Sequence, residues 1–371
     1  MRGWTTVAAT LAVTASLVAV PISSSAAPRC DTQPIQTALG SLKKAGIPGV
    51  SVTVKSPRCG VWTGGVGVAD RATGRKVTGG EHSRIGSNTK TWTATVVLQL
   101  VGEGRIDLDD TVEDFFPKLI RTKDYDGRKI TVRQLLQQTS GLPDFLDAPF
   151  WEDEEAHRWD HIEPLQTVRQ ALALPPPDDR APSGFAYSNT NYNLAGMIVT
   201  KVTGRSIGTE ITQRIIRPLG LCGTSWPGDR TTLPKPELRS YVVRNGALAD
   251  RTEWNTSDAD ASGALISTGA DATVFWNALL TGKLLAPAQL AEMKKTVDDG
   301  SGEGYGLGVE RYELTPGLVT WGHSGGMPSG HEFRNAVTED GQRSVTFLIN
   351  TDEYKWQDVD VAIGDLVRDI R

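Results

Sequence analysis

The chain opens on a rhythm that no folded element needs. After Met1-Arg2-Gly3-Trp4, residues 5–20 are apolar or small without a break, and Pro21 leads into Ser23-Ser24-Ser25-Ala26-Ala27. One positive charge, an apolar stretch and small residues before a break are the parts of a secretory signal, so residues 1–27 are expected to be removed near Ala27 on export. The run is shorter than the roughly 20 residues of a bilayer span, and no stable membrane anchor is expected. The period then changes. Ile35 to Ala45 has helical spacing, whereas Gly49 to Lys55 and Val61 to Ala69 alternate as strands around Pro57-Arg58-Cys59-Gly60. A turn at Arg71-Ala72-Thr73-Gly74 closes a second hairpin. Trp92 to Val101 is almost wholly apolar, which predicts a helix buried on all sides. From Gly104 to about Asp260 the signals are helices and loops, punctuated by Pro175-Pro176-Pro177. Strand rhythm returns over Tyr305 to Arg311, Leu318 to Gly322 and Arg343 to Asn350. A closing helix lines up Trp356, Val359, Ile363, Leu366, Val367 and Ile370 on one apolar face, ready to pack on a sheet.

Strands at both ends and helices between them imply an α/β (α+β) fold. A mainly antiparallel sheet from about residues 28–86 and 261–371 would be flanked by helices and carry an inserted, mostly helical part, residues 87–260. The cleft between the two parts is the natural place for a site. Charge narrows the function. With 39 Lys+Arg against 44 Asp+Glu among 371 residues, the chain has a formal charge of −5 and no basic footprint for nucleic acid. Three cysteines without Cys-x-x-Cys leave a structural zinc module without ligands. Export makes those cysteines candidates for a disulfide. A Cys30–Cys59 bridge would tie the first helix to the first hairpin, while Cys222 reads as a small buried hydrophobe; the other two pairings stay open.

Three short motifs carry candidate chemistry. In Ser87-Asn88-Thr89-Lys90 the i, i+3 spacing puts a hydroxyl and an amine on one helix face, where a buried lysine of lowered pKa can take the serine proton. Ser41-Leu42-Lys43-Lys44 has the same spacing on an ordinary amphipathic helix. What separates Ser87 is the turn-forming Gly86 before it and the buried helix after it. Tyr187-Ser188-Asn189 supplies a phenol whose pKa a neighbouring Lys⁺ would pull down, and an amide able to hold lysine and substrate together. His323-Ser324-Gly325 follows an apolar strand and would offer the Gly326 N–H to an oxyanion. Singly, each pattern more often belongs to an ordinary helix, turn or strand end.

In this order and spacing, the motifs resemble the serine β-lactamase and penicillin-binding DD-peptidase superfamily, in its class C-like branch. Ile130-Thr131-Val132-Arg133-Gln134-Leu135-Leu136-Gln137-Gln138-Thr139-Ser140-Gly141-Leu142, Phe185 to Tyr192, Pro218-Leu219-Gly220-Leu221 and Gly263 to Thr268 extend the likeness over nearly all of the mature chain. The resemblance implies a β-lactamase/transpeptidase-like fold in one catalytic domain, residues 28–371. It also implies a secreted serine hydrolase working through an acyl-enzyme. Ser87 would be the nucleophile, Lys90 and Tyr187 would share the base role, and Tyr187 helped by His323 would return the proton. Asn189, Ser324, Gly325 and Gly326 would bind substrate and oxyanion. No metal or organic cofactor is implied, and the expected partner of this monomer is a small peptide or β-lactam.

Departures narrow the branch. His323 stands where class C β-lactamases carry lysine, a form typical of secreted D-alanyl-D-alanine carboxypeptidases, which is the first reading; a β-lactamase, esterase or amidase of the same fold is the alternative. A homologue that binds peptides without turnover is disfavoured by the retention of all three motifs. Gln138 replaces a usual histidine. Glu310 occupies the position aligned with an arginine that grips the peptide carboxylate, and alternation points Arg311 to the other face. Rival readings fail on order. Gly322-His323-Ser324-Gly325-Gly326 spells Gly-x-Ser-x-Gly, but only His331 follows it, without the acid an α/β-hydrolase needs between. A trypsin-like reading would rest on His82, which lacks that family's context. His157 and His161 beside Glu152 to Glu155 have helical metal spacing, yet no His-Glu-x-x-His is present. The segment Phe145 to Trp159 is expected to form part of the cleft rim.

Overall fold

The computed structural model describes residues 30–178, 181 and 184–370, besides Met1 and Gly3. The expected export signal lies outside the described residues. Among these, one antiparallel sheet dominates. Its strands run in the order Arg75–Lys76, Gly60–Asp70, Gly49–Ser56, Ser344–Ile349, Glu332–Thr338, Leu318–Gly322, Glu310–Thr315, Gly304–Tyr305 and Val297–Asp298, and Gly325–Gly326 adds to the edge of Glu332–Thr338. The two ends of the chain therefore meet in the middle of the sheet, where Val50 pairs with Ile349 and Val54 with Val345.

Alternation explains the layers. Val50, Val52 and Val54 face a core shared with Phe347, Ile349 and the two terminal helices, Gln33–Lys44 and Trp356–Asp369. Thr53 turns to the opposite face, where a Cβ on Gly269 would stand 2.5 Å from its Oγ1, so the glycine lets helix Gly269–Leu280 lie on the strand. On that side Trp92 stacks on Phe275 at 3.7 Å, and the core continues into helices Thr89–Gly102 and Asn189–Thr203. Helix Thr89–Gly102 is buried all round as its sequence predicts, with Gln99 and Val101 the partly covered positions before its last residue. A disulfide joins Cys30 to Cys59 and ties the first helix to the first hairpin turn. No helix of the described residues is long and apolar enough to cross a membrane.

Several expectations need correction. Cys222 is exposed and free, in the turn that follows the left-handed Gly220, and is not a buried hydrophobe. The expected strand from Tyr305 to Arg311 is broken: Gly306 N–H bonds the Val309 carbonyl and Leu307 N–H bonds that of Met293. Gly308, at φ +76°, presses on the serine helix so closely that a Cβ would meet Ala94 Cβ and Tyr192 Oη at 2.7 Å. Trp356 is 51% exposed and leaves the closing helix's apolar face; the Arg334 guanidinium sits 3.3 Å over its ring. Two features were unanticipated. Strand Glu332–Thr338 is buried at every position, with Arg334 and Asn335 masking the apolar rhythm. Hairpin Tyr241–Arg244/Ala247–Asp250 turns at Asn245-Gly246, a hairpin signal plain in the sequence.

Candidate active site

Glycine makes the serine turn possible. Gly86 has φ +48°, and a Cβ there would lie 2.5 Å from the Gly326 carbonyl oxygen; a Cβ on Gly325 would lie 2.0 Å from that of Ile85. Backbone therefore touches backbone, and Ser87 in the Gly86–Asn88 turn is held against strand Gly325–Gly326. Asn88 fixes this contact by donating from Nδ2 to the His323 carbonyl at 2.9 Å.

Lys90 is fully buried and its Nζ has three oxygen neighbours: Ser87 Oγ at 3.0 Å, Asn189 Oδ1 at 2.6 Å and the Ser262 carbonyl at 3.0 Å. Two of these are obligatory acceptors. A neutral amine has two N–H donors for them, which leaves its lone pair for the serine hydroxyl. Burial pulls Lys90 down to about 7, against the smaller opposing pull of the Asp144 and Glu310 carboxylates. The neutral form is thus available near neutrality. Tyr187 hydrogen-bonds Ser87, and Lys90 Nζ lies 4.8 Å from its ring centre. Its phenol is not lowered as expected. Enclosure of the hydroxyl raises it well above 10, more than the Ser87 bond lowers it, and the Glu310 and Asp144 carboxylates push it in the same direction.

Asn189 caps the group from the start of helix Asn189–Thr203. Its Oδ1 takes Lys90, while its Nδ2 and backbone N–H both donate to Asp144 Oδ2, at 2.7 and 3.0 Å. Asp144 and the Ser262 carbonyl escaped the sequence reading. The first sits in a loop 45 residues before Asn189, and the second is backbone, which leaves no signature in the side-chain pattern. Gln138, at φ +62°, accepts from Ser188 N–H and Asn191 Nδ2, at 3.2 and 2.6 Å, and so anchors the Tyr187-Ser188-Asn189 segment from beneath.

The third motif is built differently. His323 is fully buried, with Nδ1 2.6 Å from the Ser324 carbonyl and Nε2 3.0 Å from Tyr305 Oη. Burial, helped by the Lys90 charge, depresses it to about 3, so the ring is neutral. A neutral ring with Nδ1–H given to a carbonyl accepts at Nε2 from the tyrosine. Its centre is 6.5 Å from that of Tyr187, with Tyr305 packed against both. Both ring nitrogens are thus engaged away from Tyr187. Glu310, pushed up to about 7 by burial, accepts the Ser324 N–H at 2.9 Å and the Ser324 hydroxyl at 3.4 Å. It shares its strand face with Tyr312 and Leu314, toward the closing helix.

A family model described as Beta-lactamase matches residues 35–366. The chain belongs to the Beta-lactamase family. Its fold is the mixed α/β one of β-lactamases and penicillin-binding proteins. Among solved structures, a D-stereospecific amidohydrolase from Streptomyces sp. is 40% identical with a TM-score of 0.82, covering 90% of this chain and 98% of that one. D-amino acid amidase from Ochrobactrum anthropi is 28% identical with a TM-score of 0.79, covering 91% and 98%. Penicillin-binding protein 4 of Amycolatopsis lactamdurans is 30% identical over 286 residues, 70% of this chain and 71% of that protein. Other curated relatives, named Protein flp in Staphylococcus aureus, are 28% identical over 61% of this chain, and the match spans less than half, 44%, of their own length.

Within this family frame, the remaining candidates fall away from the cleft chemistry. His157 stacks on Phe150 and meets Asp160, and His161 lies between Asp229 and Glu163. No metal-holding group of three or more such side chains occurs among the described residues. Phe145, Ala148 and Trp151 form a small core of their own beside Asp144, and Phe150 and Trp159 are the exposed large apolar side chains of that segment.

Proposed function

We propose that the protein is an amidase for D-amino-acid derivatives, hydrolysing amides and short peptides of D-residues through an acyl-enzyme. The observation that carries this is the buried Lys90, lowered to about 7 so that a neutral fraction with its lone pair left for Ser87 is present near neutrality. Ser87 Oγ attacks the carbonyl as its proton passes to Lys90, and the oxyanion rests on the N–H groups of Ser87 and Gly326. The proton then returns through the Tyr187 hydroxyl to the leaving amine. Tyr187 works as a protonated relay, consistent with its raised pKa. Asn189 orients the substrate amide. Water adds to the ester with Lys90 again taking the proton, which regenerates Ser87. His323 is a positioning residue: it holds Tyr305 and the Ser324 backbone, while Ser324 and Gly325 give substrate an extended edge.

The D-amino-acid preference rests on the likeness to the Streptomyces amidohydrolase, which spans nearly the whole of both chains. The carboxypeptidase reading stands second, favoured by His323 in the third motif. Against it, Glu310 stands where an arginine would grip the terminal carboxylate, and its charge is turned to Ser324. We further propose that the enzyme works outside the cell after loss of residues 1–27.

A substrate panel on the mature chain tests this. D-phenylalanine amide is expected to be cleaved at least 100-fold faster than its L form and faster than a D-Ala-D-Ala peptide or a chromogenic cephalosporin. Equal D and L rates would sink the stereochemical claim. Faster D-Ala release would restore the carboxypeptidase, and cephalosporin turnover alone a β-lactamase.

A further inference from the structure

The leaving amine departs on one side of the cleft. Tyr187, which hands it a proton, packs against Tyr305 and His323, with ring centres 6.3 and 6.5 Å away. Tyr305 pairs with Glu310 across two strands, and Glu310 Oε1 lies 3.5 Å from His323 Nδ1 and 3.4 Å from the Ser324 hydroxyl. Beyond Ser324 the surface stays open. A cavity of about 220 Å³ runs from Ser324 and Glu310 to the closing helix, and Asp299, Glu303, Asp360 and Trp356 line it.

Charge in this cavity is one-sided. Asp299, Glu303, Glu310 and Asp360 are all partly exposed, and no lysine or arginine among the described residues forms an ion pair with any of them. Arg334, the one guanidinium in the wall, is committed elsewhere: it is 4% exposed, pairs with Glu332 at 3.1 Å, donates to the Phe333 carbonyl and lies flat on Trp356. The carboxylates act on one another, since Asp299, Glu310 and Asp360 all add to the upward push of burial on Glu303. They are too spread to grip a metal ion, for no group of three such side chains among the described residues could hold one. Trp356, half exposed, adds an aromatic face of the kind that attracts organic cations, and Arg334 already uses it so.

An acidic, aromatic-edged space on the leaving side suits an ammonium carried on a short chain. Resting on the amidase reading, we infer that Glu310 and this cavity set specificity for the leaving group, favouring D-aminoacyl amides whose amine bears a second, positively charged amino group. A leaving group ending in a carboxylate would meet like charges and no free counter-ion, and is turned away. Glu310 is thus a specificity residue of the same cleft, with a neutral amine such as ammonia passing it indifferently.

Three D-phenylalanine amides of similar length test this on the mature chain at pH 8 and low salt: the 4-aminobutyl amide, the pentyl amide and the 4-aminobutanoate conjugate. The value of kcat/KM is expected to fall about tenfold from the cationic to the neutral amide and about tenfold again to the anionic one, and molar salt is expected to narrow the spread. Glu310→Gln is expected to shrink the cation-to-anion ratio about fivefold or more, and Glu303→Gln about threefold. Equal rates for the three amides, or a ratio that neither variant moves, overturn the inference and leave the amidase standing. Cleavage of none of them fails the amidase reading instead. Calorimetric titration of the same compounds into the Ser87→Ala chain then decides the inference: the cation is expected to bind about tenfold or more tightly than the anion, and equal binding or none overturns it. Thermal unfolding checks each variant; should Glu310→Gln fail to fold, Glu303→Gln carries the test, and an unchanged ratio there overturns the inference.

Discussion

Two buried polar clusters face each other across the cleft, and they use similar residue types to opposite ends. Around Lys90, the nitrogen meets two fixed acceptors and one exchangeable hydroxyl, so one position is open to proton transfer. Around His323, the corresponding positions are closed: Nδ1 serves a carbonyl, Nε2 a tyrosine, and Glu310 both donors of Ser324. Burial shifts groups on both sides, Lys90 and Glu310 each toward about 7. A perturbed pKa therefore does not by itself mark the reactive group. What marks it is a partner that can exchange its proton.

Four measurements can break or sharpen that contrast. The largest effect is expected from Ser87→Ala, a loss of about 10⁴-fold or more in kcat with the thermal midpoint unchanged. Retained turnover would move the nucleophile elsewhere. Next, kcat/KM is expected to fall about tenfold per pH unit below about 7. Lys90 has its pKa lowered, so the neutral base is present above that value and lost to the ammonium form below it. A flat profile from pH 5.5 to 8 would contradict Lys90 as base. Asp144→Asn tests the support behind Asn189. It removes a charge-assisted acceptor of two N–H groups and is expected to cost about 10–100-fold in kcat, with KM little changed. A change of KM alone would make Asp144 a binding element instead. The smallest effect belongs to Glu310→Gln, which keeps an acceptor for the Ser324 N–H; a loss under about fivefold is expected, with the acid limb of the pH profile in place. Disappearance of that limb would hand the titration near 7 to Glu310 and undo the comparison.

Much of this was legible in the letters, for reasons tied to particular residues. Trp92 to Val101 could only be a buried helix, because no polar face remained to meet water. Gly86 announced a backbone turn, and the structure uses it to bring Ser87 against Gly326. The Ser87-x-x-Lys90 spacing places both side chains on one helix face wherever that helix lies. Less legible were strand Glu332–Thr338, where Arg334 and Asn335 are buried by tertiary contacts that no period records, and the Gly306–Val309 break, which exists to dock Gly308 on the serine helix. Asn245-Gly246 shows the converse, a local signal that was there to be read.

The sequence by itself determined the secondary-structure alternation, the family and the order of the three motifs, because helix spacing, strand spacing and glycine turns are local properties of the chain. Tertiary structure alone decided which titratable groups have a partner able to exchange a proton. Whether Lys90 is neutral, Tyr187 stays protonated and His323 is locked depends on burial and on partners from other elements, Asn189 and Ser262 at 99 and 172 residues from Lys90 and Tyr305 at 18 residues from His323 among them. Desolvation and hydrogen bonding act through space, and only the folded chain sets those distances.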